Sequence, residues 1–250
     1  MKIPLLKTLA VFSITGALAC SAHAATLAQY LNSTSASFTS AANVVDPLLT
    51  SAGAFTLPVG FGTDRAGFST AGSPATRNAY WRTDAISSSE AAAVTAGNFF
   101  SFTLNPGSNP ISFETMTFGL GVSSNTTGVG TESGAAFVRT SLDGFASTIG
   151  TSVGLSNVVV PSSHTNWPTT ITAQSISFGA SLSNVSAPIT FRIYLTDTLN
   201  STTTSMRLTN LQITGAAAIP ESSTSALAAS GVIGLFTVAF RRRRTARSAE

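Results

Sequence analysis

The sequence is poor in the residues that carry most catalytic chemistry. It has one cysteine, two histidines and only 9% charged residues, against about a quarter in an average soluble protein. Between Thr26 and Ile219 there is no cysteine and no lysine, and His164 is the only histidine. Disulfides, thiol or Schiff-base nucleophiles and zinc sites of the His/Cys type are therefore not expected in this part of the chain.

One motif in the same region is formally that of a serine nucleophile. Gly150-Thr151-Ser152-Val153-Gly154 fits G-x-S-x-G, which requires a preceding strand, a following helix, and then an acid and a histidine in chain order. Here β-branched residues follow Ser152, and His164 comes only twelve residues later with no acid between them. The carboxylates also show no spacing typical of a glycosidase pair. We therefore predict a structural serine and no enzymatic activity.

The basic character of the chain belongs to its two ends. The formal net charge is +3 for the whole sequence, but six arginines and eight acidic residues leave −2 between Thr26 and Ile219. The high isoelectric point is thus no argument for nucleic acid, which we do not expect as a partner. With so few charges, the surface polarity must come from Ser, Thr and Asn.

Residues 1–24 have the pattern of a secretory signal peptide. Two lysines precede an apolar stretch, and Ala22-His23-Ala24 forms an A-x-A cleavage site. Cleavage there makes Ala25 the first exported residue and removes the only cysteine. The alternative is a lipoprotein signal ending at Cys20, although Ala17 stands where leucine is usual.

Residues 219–250 combine three features in a fixed order. Pro220-Glu221 precede a largely apolar segment, 222–240, which is followed by Arg241, Arg242, Arg243 and Arg244. A helix over 222–240 would rise roughly 28 Å at about 1.5 Å per residue, close to the ~30 Å of a hydrocarbon core. The positive-inside rule predicts a membrane span with the arginines in the cytoplasm and the preceding chain outside. A buried core helix or an arginine patch for nucleic acid is the alternative.

This arrangement resembles the PEP-CTERM sorting signal of exported bacterial proteins, with Ser222 where that motif usually has a second proline. The resemblance implies an exosortase-type processing enzyme as partner, transient anchoring through the C-terminal helix, and then a cell-surface or extracellular location. Blocks such as Tyr80-Trp81-Arg82-Thr83 and 207–215 are similar to parts of exported proteins of this type, with Thr209 in place of a usual aspartate. They imply an all-β exported domain and carry over no catalytic residue.

The segment between the two signals, residues 25–218, shows the pattern of an all-β domain. In one segment Phe191, Ile193 and Leu195 fall on one face, whereas Arg192 and Tyr194 fall on the other. We predict a single antiparallel β-sandwich, jelly-roll-like, between the signal peptide and the transmembrane sorting helix. The segments that are rich in β-branched and aromatic residues are 99–104, 111–122, 135–142, 170–178, 189–195 and 206–213.

One short helix is expected within this domain. Ser87 and Glu90 have the spacing of a capping box, three alanines follow, and Gly97 would lie just past the end.

Three aromatic residues are the candidates for ligand binding. Tyr80, Trp81 and Trp167 either fill the core or present flat rings to the sugars of an exopolysaccharide. We predict a non-enzymatic exported protein, structural or associated with exopolysaccharide. The alternative is a lectin-like module or a carbohydrate-active enzyme that uses the region of Trp81.

No cofactor or metal is predicted. Calcium is the one candidate, because loop aspartates and backbone carbonyls are its usual ligands, but no D-x-D-x-D-G motif is present. The aspartates considered for it are Asp46, Asp64, Asp143 and Asp197.

Overall fold

The computed structural model describes residues 24–30, 41–56, 81–83, 86–124, 131–159, 171–197 and 204–218. These residues form strands β1 (Ala25–Tyr30), β2 (Val44–Val45), β3 (Leu49–Ala52), β4 (Trp81–Thr83), β5 (Phe100–Pro106), β6 (Ile111–Ser124), β7 (Thr131–Thr140), β8 (Ile149–Val159), β9 (Thr172–Ser177), β10 (Ile189–Asp197) and β11 (Thr204–Ala217). Helix α1 spans Glu90–Ala96, and two short 3-10 turns span Ser141–Asp143 and Gly179–Leu182.

The strands form two antiparallel sheets. Sheet 1 has the order β2-β1-β11-β6-β9, with β4 also paired to β11, and sheet 2 has the order β3-β5-β10-β7-β8. From β5 onward the chain alternates between the sheets. β5 lies in sheet 2, β6 in sheet 1, β7 and β8 in sheet 2, β9 in sheet 1, β10 in sheet 2 and β11 in sheet 1. This connectivity is that of a jelly roll. The predicted antiparallel β-sandwich is confirmed.

The core lies between the sheets and is rich in phenylalanine. Phe191 of β10 is fully buried, and its ring lies 5.2 Å from that of Phe102 in sheet 2 and 5.8 Å from that of Phe113 in sheet 1. Ile193 and Leu195 are buried in the same cluster, as their alternation predicted. Burial of such side chains contributes about 1.5–3 kcal/mol each.

A smaller apolar cluster lies on the outer face of sheet 2, beneath α1. It consists of Ala93, Phe137 and Tyr194, and the rings of the last two are stacked at 4.9 Å as a direct cross-strand pair. Tyr194 therefore points away from the main core, as predicted. The helix covers this part of the sheet.

Helix α1 begins two residues later than the capping box predicts. The N-cap is Ser89, whose Oγ accepts a hydrogen bond from the amide of Ala92 at 3.2 Å. Ser87 instead forms an isolated bridge with Thr196 of β10. The prediction was wrong because tertiary pairing engages Ser87 before the helix starts. Gly97 ends the helix with φ +67°, as expected of a C-terminal glycine.

Several predicted features lie outside the described residues. These are the signal peptide up to residue 23 with Ala22, and the sorting signal with Pro220, Glu221, the span 222–240 and the arginines 241–244. Within the residues that the structure describes, no helix is long and apolar enough to cross a membrane. Ala24 is described and exposed, and it directly precedes β1.

Candidate functional site

The outer face of sheet 1 carries rows of uncharged polar side chains that cross the strands. Their chain neighbours, such as Met116, Ile176 and Leu211, are buried, so the alternation of each strand turns the polar residues outward. The two polar rows, in order across the strands, are Gln29, Gln212, Thr117 and Ser175, and Thr26, Thr214, Thr115 and Ser177. In the next row Thr209 lies opposite Gly119, and Gly119 opposite Ala173.

Hydrogen bonds order part of this array. The hydroxyl oxygens of Thr115 and Thr214 lie 2.6 Å apart, and Nε2 of Gln212 donates to Oγ1 of Thr26 at 2.7 Å. These contacts join β1, β11 and β6 on their outer side. These four side chains are thereby held in defined orientations beside one another.

An open groove crosses this face between β11, β6 and β9. Its volume is about 450 Å³, within the range of ~300–1,000 Å³ of small-molecule sites. The residues that line the groove are Thr117, Phe118, Gly119, Ile171, Ala173, Gln174, Ser175, Thr209 and Asn210. We call it the sheet 1 groove.

Gly119 lies between the two walls of the sheet 1 groove. A methyl group at this position would stand 2.5 Å from both Cγ2 of Ile171 and Oγ1 of Thr209. Only glycine therefore lets Ile171 and Thr209 approach the backbone of β6 this closely. The width of the groove depends on that approach.

A β-bulge shapes the wall that β11 contributes. The pairing with β6 shifts between Thr209 and Gln212, and Asn210 has a left-handed φ of +49°. Asparagine adopts this conformation more readily than most residues. As a result Asn210 is exposed at the groove while Thr209 beside it is 3% exposed.

The lining is largely apolar, and its polar groups are hydroxyls and amides without an ionisable side chain. Hydroxyls and amides both donate and accept hydrogen bonds, and Ile171 adds an apolar surface. A charged ligand could form no ion pair with these side chains. An uncharged molecule with many hydroxyl groups could form hydrogen bonds with them.

Of the three aromatic residues predicted for stacking, one lies in the described part of the chain. Trp81 has its backbone in β4, opposite Leu208 of β11. Tyr80 and Trp167 lie outside the described residues. Stacking of sugars on these three residues stays a prediction.

Two of the aspartates considered for calcium accept hydrogen bonds from nearby backbone amides. Oδ1 of Asp46 accepts the amide of Leu48 at 2.9 Å, and the carboxylate of Asp143 accepts the amides of Ala146 and Ser147. We expected Asp197 in a loop, but it is the last residue of β10 and is 2% exposed. Asp64 lies outside the described residues, and the described part of the chain contains no cluster of three metal-ligating side chains.

Ser152 of the G-x-S-x-G motif lies inside strand β8. Its hydroxyl donates to Oε1 of Glu90, and the hydroxyl of Thr148 donates to Oε2 of the same carboxylate at 3.2 Å. A nucleophile elbow places serine in a turn before a helix, whereas Ser152 is followed by further residues of the same strand. The contact with Glu90 attaches the first turn of α1 to sheet 2.

The sheet 1 groove was not predicted from the sequence. The signal that was present is the alternation in Thr115-Met116-Thr117 and Ser175-Ile176-Ser177, which predicts hydroxyls on one face of two strands. The pairing that brings these strands together cannot be derived from alternation alone.

Comparison with known proteins gives no family for this chain. No family model matches the sequence, and no curated protein matches it. Among solved structures, the K3 cleaved adhesin domain of Lys-gingipain from Porphyromonas gingivalis W83 is 15% identical, covering 64% of this chain and 88% of that one, with a TM-score of 0.34. The xylan-binding module CBM15 is 9% identical, covering 66% and 92%, with a TM-score of 0.33.

A third solved structure is an arabinose-bound GH51 α-L-arabinofuranosidase. It is 10% identical, with a TM-score of 0.39, and the match covers 76% of this chain and 27% of that enzyme. The function of this chain therefore has to be argued from its own residues.

Proposed function

We propose that this protein is exported and that it associates, without catalysing a reaction, with neutral polysaccharide at the cell surface or in the extracellular matrix. The observation that supports this most directly is the sheet 1 groove, a largely apolar surface that carries hydroxyl and amide groups and no charge. Polysaccharides are uncharged polyols unless they carry acidic sugars, so the chemistry of groove and ligand is complementary.

The contacts available in the groove suit a polymer better than a small ligand. A net hydrogen bond contributes only about 0.5–1.5 kcal/mol, so the few hydroxyls of one sugar ring give weak binding. A chain that runs along the sheet 1 groove repeats these contacts at successive sugars, which raises the overall affinity.

The proposed route of export is of the PEP-CTERM type. The signal peptide, the Pro220-Glu221 motif, the apolar segment 222–240 and the arginine block support it. An exosortase-type enzyme would remove the tail, so that the membrane anchor is transient and the β-sandwich is released to the surface or the matrix.

The groove is tested by the matched pair Thr117→Val and Thr115→Val. Both threonines lie on the outer face of β6, but only Thr117 lines the groove. Affinity electrophoresis of the purified full chain through gels that contain a soluble β-glucan, a xylan or a galactomannan should show retardation of the wild type. Loss of one hydrogen bond should weaken binding about two- to tenfold in Thr117→Val. Thr115→Val should be retarded like the wild type.

Two results would contradict the proposed binding function. One is the absence of retardation of the wild type by every neutral polysaccharide. The other is an equal loss in both variants, because this would show that the hydroxyls act on the fold of sheet 1 rather than on a ligand.

The export route is tested separately by mass. In a host with an exosortase, the intact mass of the exported protein should correspond to a chain that begins near Ala25 and ends near Pro220-Glu221. A mass that still included Arg241–Arg244 would show that the tail is retained.

A further inference from the structure

Two arginines lie directly opposite each other on the outer face of sheet 2. Arg192 of β10 pairs with Arg139 of β7, and both are half-buried. Like charges in opposite cross-strand positions destabilise a sheet. The cluster around them compensates for this cost with aromatic rings and carbonyl oxygens.

Arg192 lies between two phenylalanine rings. Its Cζ is 4.2 Å from the ring centroid of Phe99 and 3.5 Å from that of Phe145. We call these three residues the Arg192 sandwich. Both rings lie within cation–π distance of the guanidinium, whose N–H groups lie in its own plane. A planar fork of this kind binds a carboxylate with two parallel hydrogen bonds.

Arg139 positions one ring of the sandwich. Its Nη1 donates to the carbonyl oxygens of Phe145 and Ala146, both at 2.9 Å. The amide of Phe145 also donates to the carbonyl of Thr140 at 2.8 Å. Arg139 is therefore a positioning residue that acts on Arg192 through Phe145.

The backbone of Phe145 is strained. Its φ is +64°, a left-handed value that is unusual for a bulky side chain. The contacts from Arg139 and Thr140, and the Asp143 carboxylate that accepts the next two amides, hold it there. Strain of this kind persists where the surroundings impose it and is concentrated at functional sites. Its structural effect here is to place the ring on Arg192.

Two carboxylates of the described residues, those of Asp143 and Glu90, are engaged elsewhere. Asp143 binds the amides of Ala146 and Ser147, and Glu90 accepts from Thr148 and Ser152. In the described residues the partners of Arg139 and Arg192 are carbonyl oxygens and aromatic rings. Among the described residues, Arg192 thus has no carboxylate partner, and its cation can bind the anion of a ligand.

Hydroxyl groups continue the row of the two arginines. Arg192 lies opposite Ser101 of β5, and Ser101 forms a bridge with Thr56. The row across the sheet is therefore Thr56, Ser101, Arg192 and Arg139. A sugar chain across these strands would meet hydroxyls first and a cation next.

We infer that the Arg192 sandwich is a binding site for the carboxylate of an acidic polysaccharide, such as one that contains uronic acid. This rests on the proposed function in taking a polysaccharide as the source of the carboxylate, and it adds a second, charge-selective surface on the sheet opposite the neutral groove. Arg192 contacts the carboxylate, Phe99 and Phe145 hold the guanidinium, and Ser101 contacts the adjoining sugar.

The probe is polygalacturonate, and its fully methyl-esterified form is the neutral control with the same sugar backbone. The full-length wild type should bind the acid at least tenfold more tightly than the ester, as measured by affinity electrophoresis. Rising salt should weaken binding of the acid, because ions screen a partly exposed charge pair.

Three variants identify the residue responsible. Arg192→Gln should weaken acid binding about 10- to 100-fold, as expected for a lost hydrogen bond to a charged group. Arg207→Gln is the matched control, since it removes the same charge from β11 in sheet 1 and should bind like the wild type. Ser101→Asp places a carboxylate opposite Arg192, and it should abolish acid binding while the melting temperature is kept or raised.

Equal binding of acid and ester by the wild type, or an acid affinity in Ser101→Asp equal to that of the wild type, would overturn the inference. If the wild type binds neutral polysaccharide without preferring the acid, the Arg192 site is wrong and the proposed function stands. If acid binding depends on Arg192 and no neutral polysaccharide binds, the Arg192 site stands and the groove is wrong.

Discussion

Replacement of Phe191 by alanine removes the ring that joins the two sheets. This ring is fully buried and contacts Phe102 in sheet 2 at 5.2 Å. On the other side it contacts Phe113 of β6 at 5.8 Å and Phe178, which follows β9, at 5.7 Å. Its truncation therefore opens a cavity at the contact of both sheets.

The expected loss of stability follows from this burial. Truncation of a fully buried phenylalanine costs about 3–5 kcal/mol. Each ring contact adds about 0.5–1.5 kcal/mol beyond burial of area, whereas relaxation of neighbouring rings into the cavity recovers part of the loss. We expect about 4 kcal/mol, a large part of the roughly 5–15 kcal/mol that is typical of a whole protein.

Urea denaturation of the full chain measures this loss. With an m-value of about 2 kcal/mol per M, the midpoint should fall by about 2 M. Thr190→Ala is the control on the same strand, because Thr190 faces outward and its hydroxyl lies 2.8 Å from that of Thr103. This variant should cost about 1 kcal/mol or less. A loss below about 2 kcal/mol in Phe191→Ala would refute the view that these rings hold the sheets together.

Three further predictions concern pH, topology and cofactors. Tyr30 is 1% exposed and donates to the carbonyl of Gly53 at 2.7 Å, and its burial raises the pKa well above the ordinary value of about 10. The unfolded chain therefore loses this proton first, so stability should fall by up to ~1.4 kcal/mol per pH unit above about pH 10, and denaturation at several pH values should show a smaller fall in Tyr30→Phe. A reporter fused after Glu250 should be active in the cytoplasm, and activity only outside would refute the predicted orientation of the tail. Reductant and chelator should leave the melting temperature of the full chain unchanged, whereas a drop of several degrees with chelator alone would indicate calcium at the aspartates.

Alternation along single strands was sufficient to assign faces. Ile193 and Leu195 point into the core and Arg192 and Tyr194 away from it, as the period of two predicted. Gly97 ends α1 for a similarly local reason, since a left-handed backbone favours glycine wherever the rest of the chain lies.

Local patterns failed where distant pairing decides the outcome. Strand β8 was not predicted, because glycine and serine interrupt its apolar residues, yet it pairs with β7 along most of its length. Ser87 has the spacing of a capping residue, but its bridge to Thr196 leaves Ser89 as the N-cap.

By itself, the sequence determined the all-β class, the outward and inward faces of the strands and the near absence of charge between its two ends. Only the tertiary structure decided which residues form a site. The polar row of sheet 1 joins Gln29, Thr117, Ser175 and Gln212, and the Arg192 sandwich joins β10 to Phe145 in the turn after β7. These neighbours are far apart in the chain, because a jelly roll pairs strands that are distant in sequence. The alternation of a strand gives its faces but not its partner, so such sites appear only when the sheets are assembled.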